Sequence, residues 1–283
     1  MNIDVSQQHE SQEPEVEVQV DLDDVFTREQ LNSALRAIGK ETSFLIPHLR
    51  PGMDLLDCGC GTGTITVGLA ELLNPGSVIG VDVSELQIER ARTKALESTA
   101  DNVDFYTANV YSLPFDDNTF DAAFVHTVLQ HLIEPSVAIS EISRVLKPGG
   151  VIGVRDSDWA GHIRGPSNQV LDAAWELYTR FHAQKGRHPY AGRNLRAFLR
   201  EGGFLNVKGS ASSEHSGDTE SVQATAQVMS MLFNSPDFVE PALDMGWIDR
   251  PGIDEIVAAW KEWGEHPDAY YAFTNCEAVG WKP

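Results

Sequence analysis

The sequence has few cysteines, no long apolar run and a shortage of basic residues. Cysteine occurs only at Cys58, Cys60 and Cys276, which is too few, and odd in number, for a disulfide framework. No second cysteine pair completes a zinc site, so we expect no metal. No run of 18 apolar residues is present, so we expect no membrane-spanning helix. The first residues lack the basic and apolar segments of a signal peptide, and we therefore expect a cytoplasmic protein.

The shortage of basic residues gives the chain a strong negative charge. It has 21 Lys and Arg against 42 Asp and Glu, a formal net charge of −21. Such a chain repels phosphate backbones and anionic lipid, so we expect neither nucleic acid nor membrane as a partner. Residues 1–24 carry eight acids and no Lys or Arg. We predict that residues 1–22 form a disordered acidic tail, with an extended or swapped arm as the alternative.

The apolar pattern predicts alternating strands and helices over the first half of the chain. Short apolar runs favour strands at residues 53–58, 77–83, 103–108, 121–126 and 151–155, with amphipathic helical segments between most of them. This alternation is typical of a parallel sheet with helices on both faces. We therefore predict a doubly wound α/β fold.

Beyond residue 159 the alternation ends, and a helical region precedes the last strand. Helices are expected at 168–184 and 194–201, strands at 204–213 and 269–281, and a helical cap at 214–266. A helical pair at 23–50, which includes a short helix at 41–49, is expected before the core at 51–160. Residues 23–283 are thus predicted to form one domain.

A glycine-rich turn follows the first predicted strand, in the segment DCGCGTG at 57–63. Glycines at a strand-to-helix turn let the backbone approach a ligand closely. Asp82 ends the second predicted strand, 23 residues after Gly59, which is the spacing of an acid that binds ribose hydroxyls. The alternative is a plain turn followed by a helix-capping Asp. Together the two features indicate a nucleoside-containing cofactor, although a nicotinamide dinucleotide would need its third glycine one residue after Gly63.

Four ordered segments carry a family resemblance: LLDCGCGTGTITVGLA, VIGVDVSELQIERAR, NVDFYTANVYSLPFDDNTFDAAF and EISRVLKPGGVIGV. Over about residues 45–155 the chain resembles the class I S-adenosylmethionine-dependent methyltransferases, most closely the ubiquinone/menaquinone-type (type 11) branch. The resemblance implies a seven-stranded Rossmann-like sheet in the order 3-2-1-4-5-7-6, with the last strand antiparallel. It also implies S-adenosylmethionine as the cofactor and direct in-line methyl transfer to a small molecule without a metal.

The same resemblance implies roles for individual residues. The glycine turn would hold the methionine end of the cofactor, Asp82 and Gln87 the ribose, and Val83 the adenine. The family usually has Asp where Asn109 stands, and the Asn109 amide oxygen would accept the same hydrogen bond from adenine. The backbone carbonyl of His126 would meet the methionine amino group. The implied cofactor-binding residues are Asp57, Gly59, Cys60, Gly61, Gly63, Asp82, Val83, Gln87, Asn109, Val110 and His126.

Residues after the fourth and fifth predicted strands are the candidates for the acceptor side. His131 and Asp158 are the candidate general bases, and Trp159, His162 and Arg193 the candidate substrate contacts. Each has a structural alternative. His131 would pack a helix, His162 would be an ordinary surface or core residue, and Asp158 would cap or form an ion pair, as would its neighbour Asp156 with Arg155. Arg193 would pair with an acid of the C-terminal region.

The Trp and Met residues between 229 and 263 fit either a plain core or a pocket for an apolar or aromatic substrate. A homodimer interface fits the same apolar cap. The predicted function is therefore methylation of a small, apolar or aromatic metabolite. Two alternatives stay open: a quinone-precursor C-methyltransferase and a non-catalytic S-adenosylmethionine-binding module. A nucleic-acid methyltransferase is disfavoured by the net charge and by HTVLQ after the fourth strand.

Overall fold

A computed structural model describes residues 39–283, so the predicted tail at 1–22 and the predicted helix that follows it lie outside the described residues. A seven-stranded sheet forms the centre of the described part, in the order β3-β2-β1-β4-β5-β7-β6. The strands are β1 (Leu55–Cys58), β2 (Val78–Asp82), β3 (Val103–Thr107), β4 (Phe120–His126), β5 (Leu146–Gly165), β6 (Leu205–Ser216) and β7 (Tyr270–Trp281).

Strands β1 to β5 pair in parallel, whereas β7 is antiparallel to both β5 and β6. The order and direction expected from the family resemblance are thereby confirmed. Because parallel strands share one carboxyl edge, the chain segments that follow β1, β2, β3 and β4 all converge there. That edge is where the predicted cofactor residues should meet.

Helices cover both faces of the sheet. Those of the described residues are α1 (Thr64–Leu73), α2 (Glu85–Leu96), α3 (Pro135–Val145), α4 (Gln169–Gln184), α5 (Ala191–Glu201), α6 (Thr219–Phe233), α7 (Pro236–Asp244) and α8 (Arg250–Gly264). Alternate side chains of a strand point to opposite faces, so β1 contributes Leu55 to one core and Leu56 to the other. The first core packs α1 and residues 44–49 against the sheet, and the second packs α3 and α5.

A separate apolar cluster holds four helices of the second half of the chain together. Helices α4, α6, α7 and α8 share one buried core, which is rich in aromatic rings and reaches the sheet at Tyr271 of β7. Trp260 and Phe233 are almost fully buried inside it. Most of the aromatic residues between 229 and 263 therefore do pack as plain core, and only part of the group is left to line a cavity.

Strand β5 is the largest departure from the predicted elements. The prediction ended it at Arg155, yet it runs to Gly165. The reason is tertiary: β7 pairs with it from Val151 to Gly165, with an irregularity between Asp158 and His162. Asp156 and Asp158 therefore lie within the strand and not in a loop after it.

The predicted helix at 41–49 is also wrong. Residues 39–45 form turns, followed by a short 3₁₀ helix at Ile46–His48. Pro47 has no backbone N–H and so cannot make the i to i−4 bond that an α-helix needs at this point. Leu45, Ile46 and Leu49 are nevertheless buried against the sheet, which explains the apolar pattern.

None of the helices within residues 39–283 combines the length and apolar character that crossing a bilayer requires.

Asn168 offers a test of how α4 begins. Its side-chain oxygen accepts hydrogen bonds from the N–H groups of Val170 and Leu171, at 3.0 and 3.1 Å. Asn168→Ala leaves both groups without this partner, so we expect the free energy of unfolding to fall by about 1 kcal/mol in urea denaturation. Asn168→Asp keeps the acceptor and should stay near wild type. An alanine variant as stable as wild type would contradict the assigned cap.

Candidate active site

The glycine turn lies between β1 and α1, against the end of β2. The backbone N–H groups of Gly59 and Cys60 both donate to the carbonyl of Val81, at 2.7 and 3.0 Å. Gly59 has a φ of +76°, and a Cβ there would lie 2.2 Å from Cγ2 of Val128. At Gly61 a Cβ would meet nothing within 4 Å. The turn is therefore packed on one side and open on the other.

Asp82 connects this turn to the start of α2. Its Oδ2 accepts the N–H of Gly61 at 3.0 Å, and its Oδ1 accepts the N–H of Ser84 at 2.9 Å. Two fixed backbone donors hold the carboxylate in one orientation and leave its remaining lone pairs for a ligand. Asp82 thus ends β2 beside the glycine turn, and its role as the ribose-binding acid stays a prediction.

A cavity of about 440 Å³ opens at this edge of the sheet, and we call it the edge cavity. Val83, 76% exposed, forms part of its wall. The structure brings six of the predicted residues into its lining: Gly59, Asp82, Val83, Asn109, Val110 and His131.

Three other predicted residues lie beneath or beside the turn. Asp57 is buried and accepts a hydrogen bond of 2.6 Å from the Thr66 hydroxyl, and burial raises its pKa to about 7. Burial also raises the pKa of the Cys60 thiol, which makes it a poor nucleophile. Gly63 is the left-handed residue that starts α1, and a Cβ there would lie 2.8 Å from Ala91. These residues shape the turn from below.

Asn109 and Gln87 differ in how far their polar atoms are engaged. Oδ1 of Asn109 accepts the N–H of Tyr111 at 3.0 Å, which closes a local turn. A hydrogen bond from adenine would have to share that oxygen. Oε1 of Gln87 is buried with no hydrogen-bond partner in the described part of the chain.

His126 lies at the end of β4 beside Arg155 of β5. A guanidinium nitrogen of Arg155 donates to Nε2 of His126 at 2.8 Å, because arginine has no acceptor. Burial, and then Arg155, lower the pKa of His126 to about 4, so its ring is neutral at pH 7. The buried Arg155 also pairs with Glu214 at 2.6 Å and lies 3.6 Å from Glu277. Strands β4, β5, β6 and β7 are thus joined by one polar cluster.

A second cavity, of about 200 Å³, lies between β5, β7, α4 and α6, and we call it the aromatic cavity. Three predicted acceptor-side residues line it: Asp158, Trp159 and His162. Trp159 stacks on Tyr178 with ring centroids 5.1 Å apart. The rest of its lining is Gln130, Ser157, Trp175, Tyr178, Met229, Leu232, Tyr271 and Phe273.

Arg193 does not line the aromatic cavity, because its side chain forms an ion pair with Asp158. The pair is bidentate, with N···O distances of 2.6 and 2.7 Å. Burial alone would raise the pKa of Asp158, but hydrogen bonds from Arg193 and from the N–H of Ala160 hold it below its usual value. Asp158 is therefore ionised, paired and a weak base. The partner of Arg193 is on β5 and not in the C-terminal region.

The short 3₁₀ helix Leu129–His131 contributes to both cavities, because His131 lines the edge cavity and Gln130 the aromatic cavity. Asp156 of β5 supports this turn through a 2.9 Å hydrogen bond from the N–H of Leu129. Burial, and then the positive charge of Arg187, lower the pKa of His131 and keep its ring neutral at pH 7.

Sequence reasoning missed Gln130 and the wall residues of α4 and β7, including Trp175 and Phe273. An alternating pattern marks a residue as buried, but the same pattern describes a core residue and a cavity wall. The glutamine in HTVLQH was visible, yet nothing local distinguished it from a surface residue.

The sheet order, the glycine turn and the ribose-type acid define a Rossmann-like protein built to bind a nucleoside-containing cofactor. A family model described as "Methyltransferase domain" matches residues 49–203. The Aspergillus luteorubrus protein named "Probable methyltransferase ltbC" is 31% identical over 265 residues, which cover 87% of this chain and 92% of that one. A demethylmenaquinone methyltransferase of Lactococcus lactis is 34% identical over 152 residues, which cover 53% of this chain and 56% of that one.

Solved structures share the fold at low sequence identity. A Bacillus halodurans structure has a TM-score of 0.55 at 18% identity and covers 87% of this chain and 100% of that one. Phosphoethanolamine N-methyltransferase 2 of Haemonchus contortus, solved with S-adenosylhomocysteine, has a TM-score of 0.50 at 18% identity and covers 90% of this chain and 52% of that one. The chain belongs to the methyltransferase domain family and is an S-adenosylmethionine-dependent methyltransferase.

The residues of the edge cavity suit S-adenosylmethionine. The cavity's volume falls within the range of roughly 300–1,000 Å³ that is usual for small-molecule sites. The open side of Gly61 leaves room for a ligand against the backbone, and Oε1 of Gln87, a predicted ribose contact, is a buried acceptor without a partner in the described part of the chain. The carboxylate of Asp82 is already oriented by its two backbone donors.

Asp82→Ala should weaken cofactor binding. Charge-assisted hydrogen bonds are worth roughly 1.5–3 kcal/mol, so we expect a loss of about 2 kcal/mol, or roughly thirtyfold in Kd. Calorimetric titration with S-adenosylhomocysteine measures it, and Asp101→Ala, at an exposed loop position, is the matched control. Equal affinity in the Asp82 variant and wild type would overturn the ribose assignment.

Asp156 gives a prediction about pH. Burial raises its pKa to about 7, although backbone N–H groups of the 3₁₀ turn oppose the shift. When an acid has a higher pKa in the folded state than in the unfolded state, the folded state holds the proton more tightly. The free energy of unfolding therefore falls as the pH rises from about 4 to about 7. Asp156→Asn cannot ionise, so its free energy of unfolding relative to wild type should rise across that window, by up to about 1.4 kcal/mol per pH unit.

Urea denaturation of wild type and variant at a series of pH values provides this comparison. Asp101→Asn is the control, and its difference from wild type should change little with pH. A difference for Asp156→Asn that is flat, or that falls as pH rises, would refute the raised pKa.

Proposed function

We propose that this enzyme transfers the methyl group to a small aromatic molecule that binds in the aromatic cavity. The observation that carries the proposal is the 3₁₀ turn whose neighbouring residues, His131 and Gln130, line the edge cavity and the aromatic cavity respectively. Two cavities on either side of one turn, one suited to the cofactor and one lined by rings, fit direct transfer between two bound molecules.

The chemistry of the lining supports an aromatic acceptor. Trp159, Trp175, Tyr178, Tyr271 and Phe273 surround a space of about 200 Å³. This volume is below the roughly 300 Å³ lower bound of ordinary small-molecule sites, which favours a compact acceptor. Aromatic walls bind a flat ring by offset stacking or edge contacts and exclude water.

Each group of residues has a distinct part in the proposed reaction. S-adenosylmethionine supplies a methyl group already activated on a sulfonium centre. Asp82 and the glycine turn fix the cofactor, and the aromatic walls fix the acceptor, so that proximity and orientation supply most of the acceleration. The neutral His131 lines the edge cavity, on the cofactor side of the 3₁₀ turn. The paired Asp158 positions Arg193 and the end of β5.

A quinone-precursor C-methyltransferase is the second candidate. The similarity to the Lactococcus lactis demethylmenaquinone methyltransferase favours it. That similarity spans about half of each chain. The family match ends at residue 203, before α6 and β7, which contribute Met229, Leu232, Tyr271 and Phe273 to the aromatic cavity. The homodimer and the cytoplasmic location stay predictions.

Incubation with S-adenosylmethionine labelled with carbon-13 in the methyl group tests the proposal directly. The purified protein is mixed with a small-molecule extract of its source cells, and the products are separated and analysed by mass spectrometry and NMR. We expect the label in a compact aromatic product. Label that appears only in protein, in nucleic acid or in a long-chain quinone precursor would contradict the proposal.

Filling the aromatic cavity should separate acceptor binding from cofactor binding. Met229 lines the cavity, whereas Met231 on the same helix is 67% exposed. We expect Met229→Trp to lower transfer to the small-molecule product at least tenfold, with an S-adenosylhomocysteine Kd within about twofold of wild type. Met231→Trp is the matched control and should keep both the rate of methyl transfer and the S-adenosylhomocysteine Kd of wild type. Full transfer by Met229→Trp would place the acceptor elsewhere.

A further inference from the structure

The imidazole of His162 is held in one orientation by a backbone carbonyl. Its Nδ1 lies 2.9 Å from the carbonyl oxygen of Trp159, which also accepts the indole N–H of Trp175 at 2.9 Å. A carbonyl can only accept, so Nδ1 of His162 carries the proton. In the neutral ring Nε2 then has the free lone pair, and no hydrogen bond within residues 39–283 engages it.

A hydrogen-bond donor lines the same cavity. The indole N–H of Trp159 donates to Gln130 at 2.9 Å, and an indole cannot accept, so the Gln130 atom facing it is the oxygen. The Ser157 hydroxyl bonds the same oxygen at 3.0 Å. The amide N–H groups of Gln130 donate to no acceptor within residues 39–283 and are thereby left for a ligand. A free acceptor on His162 and a free donor on Gln130 are the two groups that a hydroxyl recognises.

We propose that His162 is the general base of the reaction and that the acceptor is an aromatic alcohol methylated on its hydroxyl oxygen; this rests on the function proposed above. Nε2 of His162 takes the hydroxyl proton, and the oxygen lone pair forms the new bond to the methyl carbon. The methyl–sulfur bond breaks, and its electron pair stays on sulfur. His162 is left as an imidazolium and later returns its proton to water.

The other ionisable groups around His162 are unsuited to this role. On its own strand, Asp158 is paired with Arg193, and Arg164 with Asp172 of α4. On β6, Glu214 is paired with Arg155. Burial raises the pKa values of Tyr178 and Tyr271 to about 12, so both phenols stay neutral.

The shortage of bases also favours oxygen over carbon as the methylated atom. Methylation of a ring carbon requires the loss of a proton from that carbon in addition to activation of the hydroxyl. Methylation of the oxygen requires one proton transfer only. In the described part of the chain, the lining of the aromatic cavity offers one unengaged base, Nε2 of His162, which matches methylation on oxygen.

4-Nitrophenol tests the base without any need for turnover, because it turns yellow when it loses its proton. The full chain, saturated with S-adenosylhomocysteine, is titrated with the probe at a pH where the free probe is mostly protonated. We expect the bound probe to be ionised far more than the free one. His162→Gln, which places a non-basic amide near Nε2, should lower the ratio of ionised to protonated bound probe about tenfold, equivalent to one pKa unit.

Two further variants keep the test decisive. His162→Asn retains an N–H donor for the Trp159 carbonyl but has no group at the position of Nε2. The probe bound to it should therefore also be less ionised, and this variant replaces His162→Gln if the latter fails to fold. His215→Gln, at an exposed ring on β6, should match wild type. Wild type that does not bind the probe, or bound probe equally ionised in wild type and both His162 variants, would overturn the proposal.

The carbon-13 experiment separates this inference from the proposed function. A methyl ether signal in the labelled product supports both. A labelled aromatic product with its methyl group on carbon leaves the small-molecule function standing and overturns the oxygen assignment. Absence of any labelled small molecule overturns the proposed function, even if His162 ionises the probe.

Discussion

The antiparallel pairing of β7 along β5 is the constraint on which the rest of this structure depends. The pairing continues past the carboxyl edge that β1 to β4 share, as far as Gly165. Backbone hydrogen bonds are costly to leave unmade, so β7 keeps the second half of β5 extended although its sequence is polar. The extension carries Asp158, Trp159 and His162 above the cofactor edge and gives α4, α6 and α8 a surface on which to pack. Without it there would be a cofactor site but no aromatic cavity.

The short 3₁₀ turn after β4 joins the two halves of the site. It is held from below by the carboxylate of Asp156 and from the side by the bonds between Gln130, Ser157 and Trp159. Because consecutive residues of this turn line different cavities, any shift of the turn would move both walls at once. The buried acid beneath it is costly at neutral pH, since burial opposes its ionisation. The raised pKa of Asp156 reflects the free energy lost when this buried carboxyl group ionises, and that loss is the cost of holding the turn in place.

Three arginines set the protonation of neighbouring groups in this part of the molecule. Arg155 donates to His126, Arg187 lies 3.0 Å from Nδ1 of His182, and Arg193 holds Asp158 ionised. Burial and these positive charges lower the pKa values of both histidines to about 4. Among the residues that line the aromatic cavity, His162 has a ring nitrogen, Nε2, that no hydrogen bond engages within residues 39–283, which leaves it for proton transfer.

The sequence by itself determined the cofactor half of the molecule. The glycine turn, Asp82 and the alternation of strands and helices are local signals, because turn geometry, strand period and helix period act over a few residues. Helix α1 and the cap at Ser84 were predictable for the same reason. Only the tertiary structure decided the acceptor half. The length of β5, the pairing of Arg193 with Asp158, the place of Gln130 and the orientation of His162 all depend on contacts between segments distant in the chain, which no local pattern encodes.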